Sequence, residues 1–597
     1  MVLRLKATTW SGILVLLLLT LPACHRNHGD DDSPPGELSL SVSVTGIKRL
    51  RFIWNDVGAD YYRLMANPDG SSGFTQVGEN TSATYLDEVV AVHLTDWANA
   101  SYFVQACQND GSCEDSATVF VSDLELATIG QVVASIPFDP GNLPQPPVER
   151  NRFGASVGLS GDGRTLAVGD PNDNLAAAGI NAPPGDGSEA DATGAVSVYV
   201  NEQGEWQLEA YIKASDPVPG DHFGTGVALS RDGNLLVVSA PDKLSDPLPQ
   251  EGEGTGEPLR GAGAVYVYRR EGAVWTLEQI IRSMRPTQYS VIHLSERFGT
   301  ALAVSGNGQV FCVQDWGGVL LYRRGDSGWE VMHSLEARSY VPGDIWLNGN
   351  LTLSDDGYTV AIGKSDGYSV EGEFGGVLVD SYVFNGTVEN SYWTGPTRLG
   401  ASISDSYDMF GNAVSLSRDG NTLAVGAAGE DSASLENGGD ETDNSAESSG
   451  AVYLFERQGD EWHSVGYLKA TNADAGDWFG YRVALSGDGQ SLAVTALWES
   501  SLAQGINGDL ADNSAEMPAG AVYLFTREGD AWLQRAYVKA PNTQGGYSYD
   551  LQPECQATGC RFNSHFGQSL AISDSGSTLV VGAPYENQAP TGAVYLY

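Results

Sequence analysis

Residues 478–540 decide the fold of this chain: they begin WFGYRVALSGDGQSLAVTALWES and, after a polar loop, continue as GAVYLFTREGDAWLQRAYVKA. Apolar residues alternate with other residues in the four short runs RVAL, SLAV, AVYLF and RAYVK, and turn residues separate the runs. This pattern predicts a four-stranded antiparallel sheet whose strands follow one another along the chain. One such sheet cannot bury both of its faces, so it requires neighbours of its own kind.

Such neighbours are present, because the Phe-Gly pair that opens this stretch recurs along the chain. It occurs at Phe153, Phe223, Phe298, Phe410, Phe479 and Phe566. The gap between Phe298 and Phe410 is wide enough for two units. It contains NGNLTLSDDGYTVAIG, which aligns with the others if Leu347-Asn348 replaces Phe-Gly. The sequence therefore predicts seven repeats, each of which forms one small sheet.

Two local features recur inside the repeats. The first is an Asp-Gly pair between the first and second runs, at Asp162, Asp232, Asp356, Asp419 and Asp488. Glycine adopts the positive φ that a tight hairpin requires, so each pair predicts a hairpin. The second is a tryptophan near the start of the fourth run, at Trp206, Trp275, Trp329, Trp462 and Trp532. A large flat side chain at one repeat position predicts packing between adjacent sheets.

The third run of the seventh repeat, GAVYLY at 592–597, has no fourth run after it. A ring of sheets with such a gap would expose an unpaired edge. The run QVVASI at 131–136 is similar to the fourth runs of other repeats. Residues near 128–137 are therefore predicted to supply the missing outer strand and to join the two ends of the ring.

Phe-Gly is followed in several repeats by a turn and then by a short apolar motif. This motif is Val-Gly-Ala-Pro at 581–584, with the variants Ser-Ala-Pro at 239–241 and Val-Gly-Ala-Ala at 425–428. The combination resembles the FG-GAP repeat of the integrin alpha-subunit β-propeller and of bacterial extracytoplasmic proteins built from such repeats. The resemblance covers residues 150–597 and implies a seven-bladed β-propeller that serves adhesion or ligand binding.

The resemblance does not extend to the calcium loops of integrins. In those proteins the first hairpin of a blade holds the metal, whereas the first hairpins here are short and carry one or two carboxylates. Ca²⁺ takes six to eight oxygen ligands. The resemblance therefore assigns no calcium site to these hairpins.

Residues 1–23 have the composition of a signal peptide for export. Arg4 and Lys6 precede a short apolar run, and the segment ends in Leu-Pro-Ala before Cys24. Leu-Pro-Ala-Cys resembles the bacterial lipobox, which implies a lipid anchor on Cys24; the alternative is an ordinary signal peptide cleaved near Ala23. Residues 24–37 then form a disordered tether. His25, in place of Asp, favours anchoring in the outer membrane of the bacterial cell envelope, by analogy with enteric bacteria.

Residues 38–125 are predicted to form a separate β-sandwich, because they contain six or seven short alternating runs. Trp54 and Tyr102 are similar to the core tryptophan and the tyrosine corner of fibronectin type III domains. Residues 126–597 then form the propeller, in which 126–150 are the linker and the closing strand. The predicted fold class is all-β throughout.

The chain has 76 acidic and 32 basic residues, a formal net charge of −44. This charge disfavours nucleic-acid binding, which requires clustered lysine and arginine. It suits solubility, the binding of cations or the attraction of a basic partner. Two local pairs, Cys107/Cys113 and Cys555/Cys560, predict disulfides of an exported protein. Cys312 lies in an apolar run and is predicted to be a buried thiol.

Loops between the second and third runs lie on the same face as the connections between repeats. They are long in repeats one, two, five and six (170–193, 241–261, 428–449 and 497–519), and three of them carry carboxylates at short spacing. The calcium candidates are Asp186, Asp191, Asp440, Asp443, Asp509 and Asp512. Either these oxygens hold Ca²⁺, or the loops cap themselves by hydrogen bonds from side chain to backbone. No other cofactor is predicted.

The connection 541–565 before the last repeat is the longest of its kind and contains the Cys555/Cys560 pair. Its aromatic residues Tyr547, Tyr549 and Phe562 are predicted to contact a partner. The alternative is that the cysteine pair only stabilises a long loop.

Little in the sequence indicates catalysis. The residues that precede Phe-Gly differ too much to form a shared catalytic position: Arg152, His222, Arg297, Met409, Trp478 and His565. Zinc-protease and phosphate-binding motifs are absent from the sequence. We therefore expect a monomeric binding or adhesion module for a protein or glycan at the cell surface, and not an enzyme. The alternatives are a hydrolase or lyase acting on polysaccharide, or a scaffold within an envelope assembly.

Overall fold

The structure is a computed structural model of the chain. It describes residues 37–46, 49–68, 72–89, 100–120, 152–182, 191–202, 204–244, 261–283, 297–315, 318–336, 351–364, 376–383, 392–402, 407–435, 437–514, 518–541, 543, 564–585 and 592–597. These residues form 36 β-strands and no helix, which confirms the all-β class for the part of the chain described. Within the same ranges, no helix has the length and hydropathy needed to cross a membrane.

The eight strands before residue 121 form two antiparallel sheets. These strands are β1 (Leu40–Gly46), β2 (Arg49–Trp54), β3 (Tyr61–Asn67), β4 (Thr75–Thr81), β5 (Tyr85–Val89), β6 (Ser101–Cys107), β7 (Cys113–Asp115) and β8 (Val119–Phe120). One sheet has the order β1-β2-β5; the other has the order β4-β3-β6-β7, with β8 also paired to β6. Alternate residues of β3 and β6 are buried in a core that both sheets share.

Trp54 and Tyr102 lie in this core, 3% and 4% exposed. A hydrogen bond of the kind expected of a tyrosine corner is made by Tyr62, whose hydroxyl accepts the N–H of Val57 and donates to Asp56. That interaction ties β3 to the turn before it. The assignment of Tyr102 as the tyrosine corner stays a prediction.

One of the two predicted disulfides is formed. Cys107 and Cys113, at the turn between β6 and β7, are bonded to each other. Cys555, Cys560 and the predicted lipidation site Cys24 lie outside the described residues.

From residue 152 onwards, the described strands form seven antiparallel sheets, which we number I to VII. Sheet I contains β9 (Ser156–Leu159), β10 (Thr165–Asp170), β11 (Ala195–Glu202) and β12 (Glu205–Ile212). Sheet II contains β13 (Val227–Leu229), β14 (Leu235–Ala240), β15 (Ala264–Glu271) and β16 (Val274–Arg282). Sheet III contains β17 (Leu302–Val304), β18 (Val310–Asp315), β19 (Gly318–Gly325) and β20 (Gly328–Glu336). Sheet IV contains β21 (Leu351–Leu353), β22 (Thr359–Lys364), β23 (Gly376–Val383), β24 (Tyr392–Trp393) and β25 (Thr397–Leu399).

The last three sheets repeat this arrangement. Sheet V contains β26 (Phe410–Leu416), β27 (Thr422–Ala427), β28 (Ala451–Gln458) and β29 (Glu461–Leu468). Sheet VI contains β30 (Phe479–Leu485), β31 (Ser491–Ala496), β32 (Ala521–Glu528) and β33 (Ala531–Val538). Sheet VII contains β34 (Ser569–Ile572), β35 (Leu579–Ala583) and β36 (Ala593–Leu596). Strands pair in chain order in every sheet, except that β25 pairs with β23 in sheet IV.

The third strand of sheet VI shows why these sheets need neighbours. Val522 and Leu524 of β32 pack in a core shared with sheet VII, whereas Tyr523 and Phe525 pack in a core shared with sheet V. All four side chains are buried. A strand covered on both faces reads as a continuous apolar run, which is the pattern AVYLF.

The recurring tryptophans pack between neighbouring sheets, as predicted. Trp275 of sheet II is buried and donates its indole N–H to Glu209 of sheet I at 2.8 Å. Trp329 of sheet III is also buried and donates to Glu278 of sheet II at 3.2 Å. Each indole thus fills the gap between two sheets while its polar atom is satisfied.

The Phe-Gly pair joins each sheet to the one before it. Phe479 is fully buried and forms a parallel bridge with Gly450, next to the third strand of sheet V. Gly480 has a φ of 91°, and a Cβ there would lie 2.3 Å from the carbonyl oxygen of Ala451. Both the backbone conformation and the close approach of sheet V therefore require glycine.

Contacts between the sheets run in chain order and return to the first sheet. The first strands of successive sheets lie side by side, and β34 of sheet VII lies next to β9 of sheet I. At this boundary, which we call the seam, Phe153 forms a parallel bridge with Gly592. Ser569 Oγ also donates to the carbonyl oxygen of Gly154 at 2.8 Å.

The hairpins between first and second strands meet at the other end of these strands, and we call them the hairpin ring. Seven backbone N–H to C=O hydrogen bonds connect them: Gly161 to Arg231, Arg231 to Gly306, Asn307 to Asp355, Asp355 to Arg418, Arg418 to Gly487, Asp488 to Asp574 and Asp574 to Gly161. The turns have the predicted positive φ at glycine, for example 67° at Gly233. Arg231 forms ion pairs with Asp355 and Asp574 across the centre of the ring.

Two predicted features of the repeats fall outside the described residues. They are the Leu347-Asn348 pair of the fourth repeat and the closing strand near 128–137. Within the described residues, sheet VII has three strands.

Candidate ligand-binding rim

The residue before Phe-Gly adopts an uncommon backbone conformation in five repeats. Positive φ angles occur at His222 (52°), Arg297 (43°), Met409 (58°), Trp478 (58°) and His565 (50°). Few residues other than glycine adopt this left-handed region, because the side chain crowds the backbone there. The packing of Phe-Gly against the preceding sheet therefore imposes this conformation on whatever residue comes first.

These residues contact residues at another position of the repeat. This position lies two residues beyond the end of the second strand of a sheet. Within one sheet, the His222 ring nitrogen Nδ1 lies 2.9 Å from Asp242 Oδ2, and the ring centroids of Trp478 and Trp498 are 5.8 Å apart. Between sheets II and III, Arg297 donates to Asp242 at 3.1 Å. The two positions thus alternate along the face that carries the long loops, opposite to the hairpin ring.

We call this set of residues the rim. It includes Arg152, His222, Asp242, Arg297, Trp478, Trp498, His565 and Tyr585. One rim position precedes the first strand of a sheet, and the other follows its second strand. Because the first strands of the sheets lie side by side, the rim borders the centre around which these strands lie. Its chemistry differs from one side to the other.

One side of the rim is aromatic, and we call it the aromatic arc. It consists of the rim residues Trp478, Trp498, His565 and Tyr585 together with Tyr481, which packs against Trp478; in space the order is Tyr481, Trp478, Trp498, His565 and Tyr585. Successive ring centroids are 6.3, 5.8, 5.8 and 4.8 Å apart. All five side chains are partly exposed. The arc is therefore a connected aromatic surface that extends over sheets VI and VII.

Arginines lie at both ends of the aromatic arc. Arg482 lies over the ring of Tyr481 at 4.7 Å, and Arg152 of sheet I lies over the ring of Tyr585 at 5.2 Å. Burial lowers the pKa of His565. The hydrogen bond to Gln568 raises this pKa, but the charge of Arg152 lowers it further, and the net shift is downward. The histidine is therefore neutral at pH 7, and the positive charges at the two ends of the arc belong to Arg482 and Arg152.

The other side of the rim is polar. Asp242 lies between His222 and Arg297 and interacts with both. Burial opposes ionisation of Asp242, but the hydrogen bond from His222 and the charge of Arg297 outweigh it, so the pKa of Asp242 is lowered. The carboxylate is therefore charged at neutral pH and holds the side chains of His222 and Arg297 in place.

Buried ion pairs hold the long loops against the sheets beside the rim. In sheet V, Lys469 Nζ donates to Glu430 at 2.9 Å and to Ser449 Oγ at 2.7 Å, while the Tyr467 hydroxyl donates to the other oxygen of Glu430. Burial lowers the pKa of Lys469, and Glu430 acts against this through its charge and hydrogen bond. Removal of one member would leave an uncompensated buried charge.

The same arrangement recurs in sheets I and VI. Lys213 donates to Asp173 at 2.6 Å in sheet I, and Lys539 pairs with Glu499 in sheet VI, where the Tyr537 hydroxyl donates to the same carboxylate at 2.7 Å. All four charged side chains are 3% exposed or less. The first turn of each loop is therefore fixed to the end of a fourth strand.

Four of the five described calcium candidates accept hydrogen bonds within their own loops. Asp440, Asp443, Asp509 and Asp512 each accept the N–H of the residue two positions further on. Asp191 is described and Asp186 lies outside the described residues. Within the described ranges, no group of three or more His, Cys, Asp or Glu side chains is arranged to hold a metal ion. The observed hydrogen bonds are those of loops that cap themselves, and calcium binding stays a prediction.

The predicted partner residues Tyr547, Tyr549 and Phe562 lie outside the described residues. Cys312 is a fully buried thiol, as predicted, and burial raises its pKa. The rim itself was missed by sequence reasoning. The only signal was the diversity of the residues before Phe-Gly, which was used against catalysis and not in favour of binding.

Comparison with known families agrees with these repeats. The FG-GAP repeat family matches residues 206–268, 393–455 and 557–597. The chain thus contains three FG-GAP repeats, consistent with an integrin-like β-propeller. The first of these matches extends from the fourth strand of sheet I to the third strand of sheet II, so a sequence repeat is offset from a sheet by one strand.

Similarity to solved structures is weak. Hydrazine synthase of Kuenenia stuttgartiensis is 12% identical, with a TM-score of 0.40 over 76% of this chain and 98% of that chain. A functionally unknown protein from Desulfotomaculum acetoxidans is 12% identical, with a TM-score of 0.29 over 73% of this chain and 97% of that chain. No curated protein matches the chain. Similarity at this level indicates neither a function nor a ligand.

Proposed function

We propose that this protein is an extracytoplasmic binding or adhesion module that holds its ligand at the rim. The observation that carries the proposal is the aromatic arc. Partly exposed rings from sheets VI and VII are in contact with one another on the face where the loops are long. Aromatic side chains clustered at one exposed site are the residues that most often dominate recognition.

The architecture that we propose for residues 126–597 is a seven-bladed propeller. Three observations support it: the circuit of hydrogen bonds in the hairpin ring, the side-by-side first strands, and the bridge from Phe153 to Gly592 at the seam. We also propose a fibronectin type III-like sandwich for residues 38–125. The strand orders β1-β2-β5 and β4-β3-β6-β7 and the buried Trp54 support that assignment.

We further propose that the mature protein is a lipoprotein of the bacterial cell envelope, anchored through Cys24 in the outer membrane. The support is the Leu-Pro-Ala-Cys sequence and the polar tether that follows it. Replacement of Cys24 by alanine should release the protein from the membrane fraction and abolish labelling by a radioactive fatty acid. A Cys24→Ala protein that stays in the membrane fraction would contradict the anchor.

The proposal makes the protein a binding partner of a surface protein or glycan and not a catalyst. It is tested with the detergent-solubilised full-length protein, immobilised and exposed to extracts of bacterial surfaces. A Trp478→Asn/Trp498→Ala variant should retain much less material than the wild type, because it lacks the centre of the aromatic arc. The control is Tyr358→Ala, which removes an exposed aromatic residue from the hairpin ring on the opposite face. Equal retention by all three proteins would refute binding at the rim.

A further inference from the structure

We infer that the ligand of the aromatic arc is a neutral polysaccharide or oligosaccharide strand; this inference rests on the proposed function. A pyranose ring has an apolar face of C–H groups and an edge of hydroxyl groups. It therefore fits a surface on which aromatic rings alternate with hydrogen-bonding groups. The aromatic arc and its borders have both features.

The apolar component is the row of rings. The ring centroids of Trp478 and Trp498 are 5.8 Å apart, as are those of Trp498 and His565, and the ring planes are inclined by 67° and 56°. A strand that crosses the arc therefore meets ring faces and ring edges in turn. Because the side chains are partly exposed and lie in contact with one another, little side-chain entropy is lost when a ligand binds.

The polar component borders the same rings. The Tyr481 hydroxyl accepts a hydrogen bond from Gln568 at 3.1 Å, which leaves its own O–H available to donate. Gln568 also lies beside His565, with its Oε1 3.4 Å from the ring nitrogen Nδ1. These groups suit hydroxyls, which donate and accept at the same atom.

The charges around the arc favour a neutral sugar over a cationic peptide or an acidic polysaccharide. Arg482 and Arg152 already lie over the tyrosines at its two ends, so a cationic peptide would meet positive charge. Two carboxylates adjoin the tryptophans in sequence, and both are buried: Asp477 accepts the N–H of Asp474, and Glu499 pairs with Lys539. The net charge of −44 acts over longer range against an acidic polysaccharide. A neutral strand avoids both penalties.

The experiment uses the solubilised full-length protein and isothermal titration calorimetry. The probes are maltohexaose, cellohexaose, laminarihexaose and chitohexaose, with hexa-arginine and polygalacturonate for comparison. At least one neutral hexasaccharide should bind. Trp478→Asn and Trp498→Ala should each weaken that binding about ten-fold or more, as expected for a central aromatic contact. Trp498→Phe keeps a ring and should stay within about three-fold of the wild type.

Asparagine is chosen at 478 because it tolerates a positive φ, so the ring is removed without added backbone strain. Thermal unfolding shows whether each variant is folded, and Tyr358→Ala should bind as the wild type does. The inference is overturned if no neutral hexasaccharide binds, or if the tryptophan variants bind it as tightly as the wild type. It is also overturned if hexa-arginine or polygalacturonate binds in a manner that depends on Trp498. If the rim still captures surface material while none of the hexasaccharides binds, the inference of a sugar ligand is wrong and the proposed binding function stands.

Discussion

Replacing Gly582 by alanine should weaken the seam between sheets VII and I. Gly582 lies on β35 without a positive φ, so alanine introduces no backbone strain there. A Cβ at this residue would lie 2.2 Å from the carbonyl oxygen of Gly154 and 2.2 Å from Ser569 Oγ. Ordinary contact begins at 3.4 Å, so the strands must separate by about 1 Å in an interior that has few voids to absorb the shift.

The cost follows from three terms. An extra methyl group in a packed interior costs about 1–3 kcal/mol, and weakening of the bond from Ser569 to Gly154 adds about 1 kcal/mol. Alanine also restricts the unfolded chain, which offsets about 0.4–1 kcal/mol. We therefore expect a net loss of about 1–3 kcal/mol. Sheets II and VI hold Ser239 and Thr495 at the equivalent position, so a local shift can accommodate a Cβ and the fold should survive.

The assay is urea unfolding followed by tryptophan fluorescence, together with amide hydrogen exchange. The N–H of Gly154 donates across the first two strands of sheet I to Gly169, and it should exchange faster in the variant. Gly400→Ala is the matched control, because nothing lies within 4 Å of a Cβ there; it should be neutral or stabilising by up to about 1 kcal/mol. A Gly582→Ala protein with wild-type stability and unchanged exchange at Gly154 would refute the close approach at the seam.

Replacement of Lys539 by methionine should destabilise the protein by about 3–5 kcal/mol in urea unfolding, because Glu499 is left buried without its cation. A second substitution, Glu499→Leu, should recover most of this loss, and a double variant no better than the single one would speak against the pair. Asp477→Asn should flatten the dependence of stability on pH. Burial, together with the charges of Glu499 and Asp474, raises the pKa of Asp477 from 3.8 to about 7. The folded state therefore keeps a proton that the unfolded state releases, and stability falls as pH rises through this window. Melting temperatures at pH 5 and pH 8 test this, and an equal difference in variant and wild type would contradict it. Replacement of Cys107 and Cys113 by serine removes the bond that closes a loop of sequence separation 6, and it should destabilise the sandwich by about 2 kcal/mol. Ligand binding at the rim should not change, and a loss of binding in this variant would show that the two regions are coupled.

The sheets could be predicted because their signals are local. Asp-Gly turns and alternating runs fix each hairpin within a few residues, and the recurrence of Phe-Gly sets the phase of the repeats. Trp275 and Trp329 could be assigned to packing because they hold one position in successive repeats. The role of Gly480 was not evident from sequence, since it depends on the carbonyl oxygen of Ala451 in another sheet.

The rim could not be predicted because its contacts join residues that are distant in sequence and different in chemistry. Trp498 meets His565, and Tyr585 meets Arg152, only when neighbouring sheets lie side by side. A search for one chemical type at one repeat position discards such a set, as happened with Trp478. The calcium candidates show the opposite error, because short spacing between carboxylates also suits turns that accept backbone N–H groups.

Backbone strain at the rim argues that its side chains are kept for more than folding. The residue before Phe-Gly has a positive φ in five repeats, and none of these five is glycine. Glycine would remove a cost of about 1 kcal/mol or more at each of these positions. The next two residues, such as Phe479 and Gly480, already join the sheets, so the architecture does not need a side chain at 478. A ring retained at a strained and partly exposed position, in contact with Trp498, is therefore better explained by a ligand than by the stability of the sheets.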